Sequence, residues 1–277
     1  KILNFWTDWP KGLKTANSKK QRTKSVRWTA NDMRGRRILN VTRRGKVLFF
    51  ELSGQPKRLM AVHLRMSGRL EVVPASPQQV NKYRRPSILV KLLVGRWVHF
   101  WWRLSGGREM RLIDPRKFGR IWYGASDELQ KDPYLGGLGI DAKGLTKNAF
   151  ITAFRERRGM IKPLLLRQDV IAGIGNILAD ESLWHAGIHP KAGVLGLNDA
   201  ALGRLHGGLE KTIRAVLASG GTSMLNFRHP DGKAGRYQER RVAYGSAGRP
   251  CPRCRTPFVR IVVAGRGTTF CSQCQKI

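Results

Sequence analysis

Short apolar runs recur through the first half of the chain, separated by glycines and charged turns. The runs lie at residues 38–41, 46–52, 59–64, 87–93, 97–104, 111–113 and 120–122. Turns at this spacing are typical of an antiparallel β-sandwich or barrel. A parallel sheet would need helical crossovers between the strands, and the pattern offers none over this span. The sequence therefore predicts an antiparallel β-sandwich, with a hairpin turn at 94–96.

The hydrophobic period changes after Gly124. A helix is predicted over 145–158, because apolar residues at positions 145, 149, 150, 153 and 154 share one face and Thr146 is placed to cap its start. Further helices are predicted at 177–185 and 199–219, the second ending at a pair of glycines, and residues 230–235 form a polar loop. The second half of the chain is therefore predicted to be helical.

The four cysteines of the chain form two Cys-x-x-Cys pairs near its end: Cys251, Cys254, Cys271 and Cys274. Residues 255–270 separate the pairs, a spacing typical of a four-cysteine zinc site with room for a β-hairpin. Four protein thiolates leave zinc no open position, so one structural Zn²⁺ is predicted. Two disulfides are the alternative, although these are typical of small secreted domains.

The charge of the chain favours a polyanionic partner. Lysine and arginine total 52 against 18 acidic residues, a formal net charge of +34. A membrane is disfavoured as the partner, because the sequence has no long apolar run and no signal-peptide pattern. Nucleic acid is the predicted partner, with a merely basic, ribosomal-type surface as the alternative. The length of 277 residues predicts more than one domain.

One glycine-rich turn precedes the helix predicted at 177–185. Gly173-Ile-Gly175-Asn176 would let backbone N–H groups approach a phosphate at the helix start. Such turns also occur for packing alone, so the motif by itself leaves both interpretations open. The longer string over 168–181, followed by Ala-Gly-Ile-His-Pro at 186–190, is more specific.

This string resembles the helix–two-turn–helix signature of the formamidopyrimidine-DNA glycosylase family, which includes endonuclease VIII. The cysteine-containing terminus is similar to the zinc finger of that family. Matching motifs follow in order at 43–46, 63–68, 114–119, 220–222 and 231–233. The resemblance implies an α+β multidomain fold: an antiparallel β-sandwich at 1–124, a helical helix–two-turn–helix domain at 125–240, and a zinc-finger β-hairpin at 241–277.

The resemblance also implies a bifunctional reaction. A damaged base is flipped out of the duplex, an amine attacks C1′ of the sugar to form a Schiff base, and the strand is then cleaved. The family uses an N-terminal proline followed by glutamate, whereas this chain begins Lys1-Ile2-Leu3, which resembles the strand after the first helix of the family. We therefore expect about two dozen residues, including that proline and glutamate, to be missing, either from a fragment or from a silenced homologue.

Individual residues match positions with roles in the family. Lys46 matches the lysine beside the lesion phosphate that is assigned to β-elimination, and Arg266 matches the zinc-finger arginine linked to δ-elimination. Met66 and Phe118 match the apolar wedge that fills the gap left by the flipped base. Arg116 matches the residue that pairs with the orphaned base. The alternative for Lys46 is a solvated basic turn. Met66 and Phe118 could equally be core residues, although their neighbours Arg65 and Lys117 indicate a surface that faces DNA.

Three further residues match DNA contacts of the family: Arg157, Lys162 and Asn176. Tyr83 stands where many members have a histidine that contacts DNA, and the residues around it differ from the usual pattern. Resemblance in the loop over 222–236 favours oxidised purines as the lesion.

The function implied is base-excision repair, with double-stranded DNA containing a damaged base or abasic site as the partner. We expect a monomer in the cytoplasm of a bacterium, associated with the nucleoid. One alternative is a catalytically silent damaged-DNA-binding protein. A ribosome- or RNA-associated zinc-ribbon protein would fit the charge and the cysteines but leaves the ordered motifs of the β-domain unexplained.

Overall fold

The computed structural model describes residues 1–15, 22–75, 95–223 and 233–277. The chain divides into two compact units: Lys1–Gly136 with Ser223–Gly235, and Gly137–Thr222 with Arg236–Ile277. The strand predicted at 87–93 and Tyr83 lie outside the described residues, as does most of the loop over 222–236.

The first unit is rich in strands. Its elements are β1 (Ile2–Thr7), β2 (Leu13–Thr15), α1 (Arg22–Met33), β3 (Ile38–Arg44), β4 (Val47–Leu52), β5 (Arg58–His63), β6 (Arg69–Pro74), β7 (Val98–Leu104), β8 (Arg108–Ile113), β9 (Arg120–Gly124), α2 (Ser126–Gln130) and α3 (Pro133–Gly136). One sheet has the order β1-β7-β8-β6 and the other β2-β9-β5-β4-β3. Neighbouring strands are antiparallel except β2 and β9, which are parallel.

The core of this unit is built from both sheets. Phe100 and Trp102 of β7 alternate with Trp101, so the first two join the main core while Trp101 packs in a smaller cluster. From the other sheet, Phe50 and Tyr123 fill the same core. Period-two alternation of this kind is what a sheet with one face packed on another sheet requires. The predicted β-sandwich is confirmed.

Helix α1 was not predicted from the hydrophobic period. Its sequence has few apolar residues, and their spacing gives only a weak stripe. Met33 nevertheless lies in the sandwich core with 0% exposure. The carboxylate of Asp32 accepts hydrogen bonds from Arg36, Arg58 and Tyr123, which fixes the end of the helix to the second sheet. Long-range contacts of this kind leave no periodic signal in the sequence.

The second unit is mainly helical. Its elements are β10 (Ile140–Asp141), α4 (Lys147–Arg155), α5 (Ile161–Leu166), β11 (Ile171–Ala172), α6 (Asn176–Ala186), α7 (Asp199–Ala218), β12 (Val259–Val263) and β13 (Arg266–Phe270). The predicted helices at 145–158, 177–185 and 199–219 are confirmed, with ends that differ by a few residues. The predicted cap is present, because the Thr146 side chain accepts a hydrogen bond from the Ala149 N–H at 3.3 Å.

Helices α6 and α7 pack closely in the helical core. A Cβ atom on Gly208 would lie 2.7 Å from the Ser182 carbonyl oxygen, so the contact needs a glycine there. Leu183 of α6 and Leu205 of α7 join the same buried cluster as Phe150 of α4. This packing holds the start of α6 at a fixed place in the unit.

Glu181 ties α6 to the segment that leads into the first cysteine pair. Its carboxylate accepts hydrogen bonds from the backbone N–H groups of Val242, Ala243 and Tyr244 at 2.9, 2.7 and 2.7 Å. The side chain is 1% exposed. A buried carboxylate with three charge-assisted hydrogen bonds is well compensated for its lost hydration.

Within the described ranges, none of the helices has the length and apolar character needed to cross a lipid bilayer.

We predict that Glu181→Ala lowers the free energy of unfolding of the second unit by about 3 kcal/mol, because three backbone N–H groups lose a buried, charged acceptor. Denaturant unfolding measures the change. Glu210→Ala is the matched control, since the Glu210 side chain is 52% exposed on α7. Equal losses for the two variants would contradict the assignment of Glu181 as the anchor.

Candidate nucleic-acid interface and metal centre

The buried carboxylate of Asp114 joins two loops of the first unit. Its Oδ1 accepts hydrogen bonds from Ser67 Oγ at 2.5 Å and from the Arg116 N–H at 3.2 Å. Its Oδ2 accepts from the N–H groups of Phe118 and Gly119, both at 2.7 Å. The carboxylate is 0% exposed. The loop after β5 and the loop between β8 and β9 are therefore held together at one point.

Large apolar side chains are exposed on both of these loops. Met66 is 70% exposed and Phe118 is 40% exposed, so neither is the core residue that the alternative interpretation required. The guanidinium carbon of Arg116 lies 4.4 Å from the centroid of the Phe118 ring. The structure therefore places Met66, Arg116 and Phe118, three residues selected from the sequence, on two joined loops.

Backbone geometry shows how tightly the loops turn. Arg65 and Lys117 have φ angles of 57° and 54°, in the left-handed region that side chains with a Cβ rarely adopt. A Cβ on Gly68 would lie 2.3 Å from the Leu64 carbonyl oxygen. The Gly68 N–H donates to that same oxygen at 3.0 Å, which closes the turn. Backbone strain of this kind clusters at functional sites.

His63 is buried beneath the first loop. The Arg65 N–H donates to His63 Nδ1 at 2.8 Å, and the Tyr134 ring meets the imidazole edge-on at 5.5 Å between centroids. Burial, followed by the positive charges of Arg65 and Lys46, lowers the pKa of His63 to about 4. The imidazole is therefore neutral at physiological pH, with Nδ1 as an acceptor. The sequence showed His63 only as part of a motif.

Lys46 lies in the two-residue turn between β3 and β4. The turn is fixed by Arg43, whose Nη1 donates to the Gly45 carbonyl at 2.7 Å. Lys46 is exposed, and its charge acts on His63. The turn therefore places the predicted lysine near the loop that carries Met66.

Arg266 begins the second strand of the hairpin in the second unit. Ala264 and Gly265 form the tip with φ angles of 47° and 73°, and Val263 pairs with Arg266 across it. Two positive φ angles in a two-residue loop are typical of a type I′ hairpin turn. Arg266 is exposed at the tip, as the sequence predicted.

Lys162 does not lie at the surface. Its Nζ is 2.5 Å from Asp180 Oδ1 and donates to Thr268 Oγ1 at 2.7 Å and to the Gly267 carbonyl at 3.2 Å. The side chain is 0% exposed. The sequence placed Lys162 among the DNA contacts, and this does not fit a side chain whose three donors are all used inside the protein. Its position instead fixes the backbone next to Arg266.

Asn176 contacts the same part of the hairpin. Its Nδ2 donates to the Gly267 carbonyl at 2.8 Å, while its buried Oδ1 has no hydrogen-bond partner in the part of the chain that is described. Asp180 also accepts from the Thr269 N–H at 3.0 Å. Side chains from α5 and α6 therefore hold residues 267–269. Arg157 is held differently, since its Nε donates to the Ala153 carbonyl at the end of α4.

The four cysteines form a compact group of sulfur atoms within 4.8 Å of one another. The Cys254 sulfur lies 3.4 Å from those of Cys271 and Cys274, and the sulfurs of Cys251 and Cys274 are 4.0 Å apart. Tetrahedral zinc with Zn–S bonds of about 2.3 Å separates its sulfurs by about 3.8 Å. The thiols are free, which contradicts the disulfide alternative. The group fits a structural zinc ion.

The metal centre packs directly against α6. Arg253, between the first two cysteines, donates to the carbonyls of Trp184 and His185 at 2.8 and 3.1 Å. Its guanidinium carbon also lies 4.0 Å from the centroid of the Trp184 ring. A cation at the end of a helix satisfies its last carbonyls and complements the helix dipole.

We predict about one zinc ion per chain, and loss of that zinc in Cys254→Ser, because three thiolates cannot complete the tetrahedral site. Elemental analysis of the purified protein gives the stoichiometry. Ser272→Ala is the control, as Ser272 is exposed between the last two cysteines. Full zinc content in Cys254→Ser would show that the metal is held elsewhere.

We predict that His63 titrates near pH 4 instead of near 6.5. Its lowered pKa means that its contribution to stability is complete above about pH 6.5 and is lost as the pH falls towards 4. Histidine NMR signals followed against pH test this, with the His63 signal identified by its absence in His63→Asn. A signal with a midpoint near 6.5 would show that the ring is not buried.

Comparison with known families gives three matches in chain order. The model of the formamidopyrimidine-DNA glycosylase N-terminal domain matches residues 6–121. The H2TH domain of formamidopyrimidine-DNA glycosylase matches residues 138–227. The zinc finger found in FPG and IleRS matches residues 248–277.

Curated relatives with the name formamidopyrimidine-DNA glycosylase match over most of the chain. The Chloroflexus aurantiacus protein is 37% identical over 268 residues, which cover 97% of this chain and 87% of that protein. The Chloroflexus aggregans protein is 39% identical over 244 residues, which cover 87% of this chain and 82% of that protein.

Solved structures of Lactococcus lactis Fpg are similar over the whole chain. A point mutant of that protein in complex with a Fapy-dG containing DNA has a TM-score of 0.81 at 27% identity, and covers 100% of this chain and 93% of that one. The complex with an abasic site containing DNA has a TM-score of 0.80 at 27% identity, with coverage of 100% and 92%.

Proposed function

Because the chain belongs to the formamidopyrimidine-DNA glycosylase family, we propose that the two loops joined by Asp114 enter duplex DNA at a damaged base. The protein acts in base-excision repair of oxidised purines, as a DNA glycosylase that also cleaves abasic sites. The target base is inside the duplex stack, so it must be flipped out before any chemistry at its sugar.

The observation that carries this proposal is the pair of exposed apolar side chains on the joined loops. Met66 and Phe118 are exposed although their size would favour burial, and cations flank them at Arg65, Arg116 and Lys117. Inserted apolar side chains unstack DNA, and neighbouring cations bind its backbone. Arg116, stacked on Phe118, is then in place to pair with the base left without a partner.

Cationic side chains supply the contacts to the damaged strand. We assign catalytic roles to Lys46 in its turn and to Arg266 at the hairpin tip, with β- and δ-elimination as their reactions by family resemblance. Asn176 and Arg157 are proposed DNA contacts. Lys162 does not contact DNA in this proposal; it positions Arg266 by fixing the residues that follow it, Gly267 and Thr268. A guanidinium on a short rigid hairpin suits bidentate phosphate binding.

Zinc has a structural part in this function. When bound to the four cysteines, it would stabilise the finger that carries Arg266 and leave no coordination position for substrate. The ends of β12 and β13 are then fixed on one side by the metal and on the other by Lys162 and Asn176.

The relatives support a proposal for the partner and the setting of the protein. The Lactococcus lactis structures hold DNA with a formamidopyrimidine lesion or an abasic site, and the curated relatives come from bacteria. We propose duplex DNA with such lesions as the partner of this chain. We further propose that it works as a monomer on the nucleoid in the bacterial cytoplasm.

We predict that Met66→Ala and Phe118→Ala each weaken binding to a duplex with an abasic-site analogue by about tenfold, because the gap in the stack is left unfilled. Affinity for the undamaged duplex should be nearly unchanged. Fluorescence anisotropy with both duplexes measures the two affinities. Leu195→Ala is the control, since Leu195 is 67% exposed in the other unit.

Two results would contradict parts of this assignment. Equal loss on damaged and undamaged duplexes would mean that the two side chains support the fold and do not fill the gap. Selective binding of damaged DNA without release of 8-oxoguanine or strand cleavage would instead identify the catalytically silent binder.

A further inference from the structure

We propose that Arg65 binds a backbone phosphate of the DNA immediately beside the position entered by Met66, with Tyr134 as the platform that directs its guanidinium. This inference rests on the proposed function and adds a contact to it. Arg65 was not among the site residues selected from the sequence. The structure points to it by its backbone, its aromatic contact and its uncompensated charge.

The backbone places Arg65 in an unfavourable conformation next to the proposed wedge. Its φ angle of 57° lies in the left-handed region, where glycine or asparagine would be less strained. The preceding strand ends at His63, and the following residue, Met66, is 70% exposed. An exposed arginine at such a position costs stability that a glycine would not. A functional contact made by its side chain would account for it.

An aromatic stack fixes the direction of the side chain. The Arg65 guanidinium carbon lies 4.9 Å from the centroid of the Tyr134 ring. Tyr134 in turn stacks on Trp122 with centroids 5.8 Å apart and planes 9° from parallel, and Trp122 is 1% exposed. Stacking occupies a face of the guanidinium and leaves its N–H groups in the plane free to donate. The side chain is therefore ordered before any ligand arrives.

In the described residues, carboxylates balance the positive charge around Arg65 only in part, since Asp114 acts on Arg120. Arg65 has no ion pair within the described ranges, and His63 beneath it is neutral. The charges of Arg65 and Lys46 both act on His63, and burial together with Arg65 lowers the pKa of Arg120. The nearby carboxylate of Asp114 is committed to Ser67 and three backbone N–H groups.

A phosphate fits this arrangement better than a base edge. The charge of Arg65 acts unfavourably on Arg120, an effect that an anion bound at Arg65 would offset, and planar guanidinium donors match two phosphate oxygens. The adjacent Met66 already supplies the apolar group for insertion into the stack. Arg65, one residue earlier in the loop, is then expected at the backbone of the strand that Met66 enters.

Salt dependence of binding tests the contact. The variants are Arg65→Gln, which removes the charge, Arg65→Lys, which keeps it without the planar stack, and Arg65→Gly, which also relieves the backbone. Binding to the abasic-analogue duplex is measured over a range of salt concentrations. One lost phosphate contact should reduce the log–log slope by about 0.9 in Arg65→Gln and Arg65→Gly, and less in Arg65→Lys.

Arg108→Gln is the matched control. Arg108 is an exposed arginine of the same unit at the opposite end of β8 from Asp114, about 17–20 Å along the strand. Its slope should equal that of the wild type. Because Arg65→Gly removes strain, this variant should be at least as stable as the wild type to denaturant, so a loss of binding in it is not a loss of folding.

Single methylphosphonate substitutions along each strand locate the phosphate. Wild type should lose affinity at one position near the abasic site where Arg65→Gln loses none, since the contact is already absent. Equal losses for both proteins at every position would overturn the proposal. So would an unchanged salt slope together with an altered preference for the opposite base, which would indicate a contact with a base edge.

The binding measurements distinguish failure of the proposed function from failure of the Arg65 contact alone. If wild type binds damaged and undamaged duplexes equally, the proposed function is wrong. If wild type prefers the damaged duplex and Arg65→Gln has the same slope and affinity as wild type, only the Arg65 contact is wrong.

Discussion

The hydrogen bonds to the buried carboxylate of Asp114 are the interaction on which the two loops proposed to enter DNA depend. Its two oxygens are satisfied by one hydroxyl and three backbone N–H groups. A buried charge without such donors would be strongly unfavourable. The side chains of Met66 and Phe118 can therefore be exposed, because the backbone beneath them is ordered by hydrogen bonds and does not rely on their burial.

A buried ion pair has the corresponding role in the second unit. Removing Lys162 and Asp180 from water costs free energy that their mutual attraction offsets only with good geometry and further hydrogen bonds. Burial raises the pKa of Asp180, and the Lys162 ammonium opposes that rise. Hydrogen bonds to Thr268 and from Thr269 complete the arrangement. These directional contacts fix the backbone of the hairpin that carries Arg266.

The sequence predicted those features that leave a local signal. Short apolar runs separated by turns identified the sandwich, Thr146 identified a helix start, and the cysteine spacing identified the metal site. Long-range features were missed. Helix α1 has only a weak apolar stripe, and ion pairs of Asp32 fix its end. Lys162 resembles any surface lysine in the sequence until its distant partner Asp180 is known. The residues next to a charged side chain in the sequence do not show whether that side chain is buried or exposed.

The distribution of the acidic residues explains why so basic a chain keeps a positive surface. Several of its few carboxylates serve inside the protein: Asp114 and Glu181 bind backbone N–H groups, and Asp180 neutralises a lysine that is itself buried. Acidic side chains used in this way cannot neutralise exposed cations such as Arg65 and Arg266. The same carboxylates that order the loops and the hairpin are therefore not available to those two arginines. A polyanion that approaches these loops meets positive charge that the fold has already positioned, so little ordering remains to oppose binding.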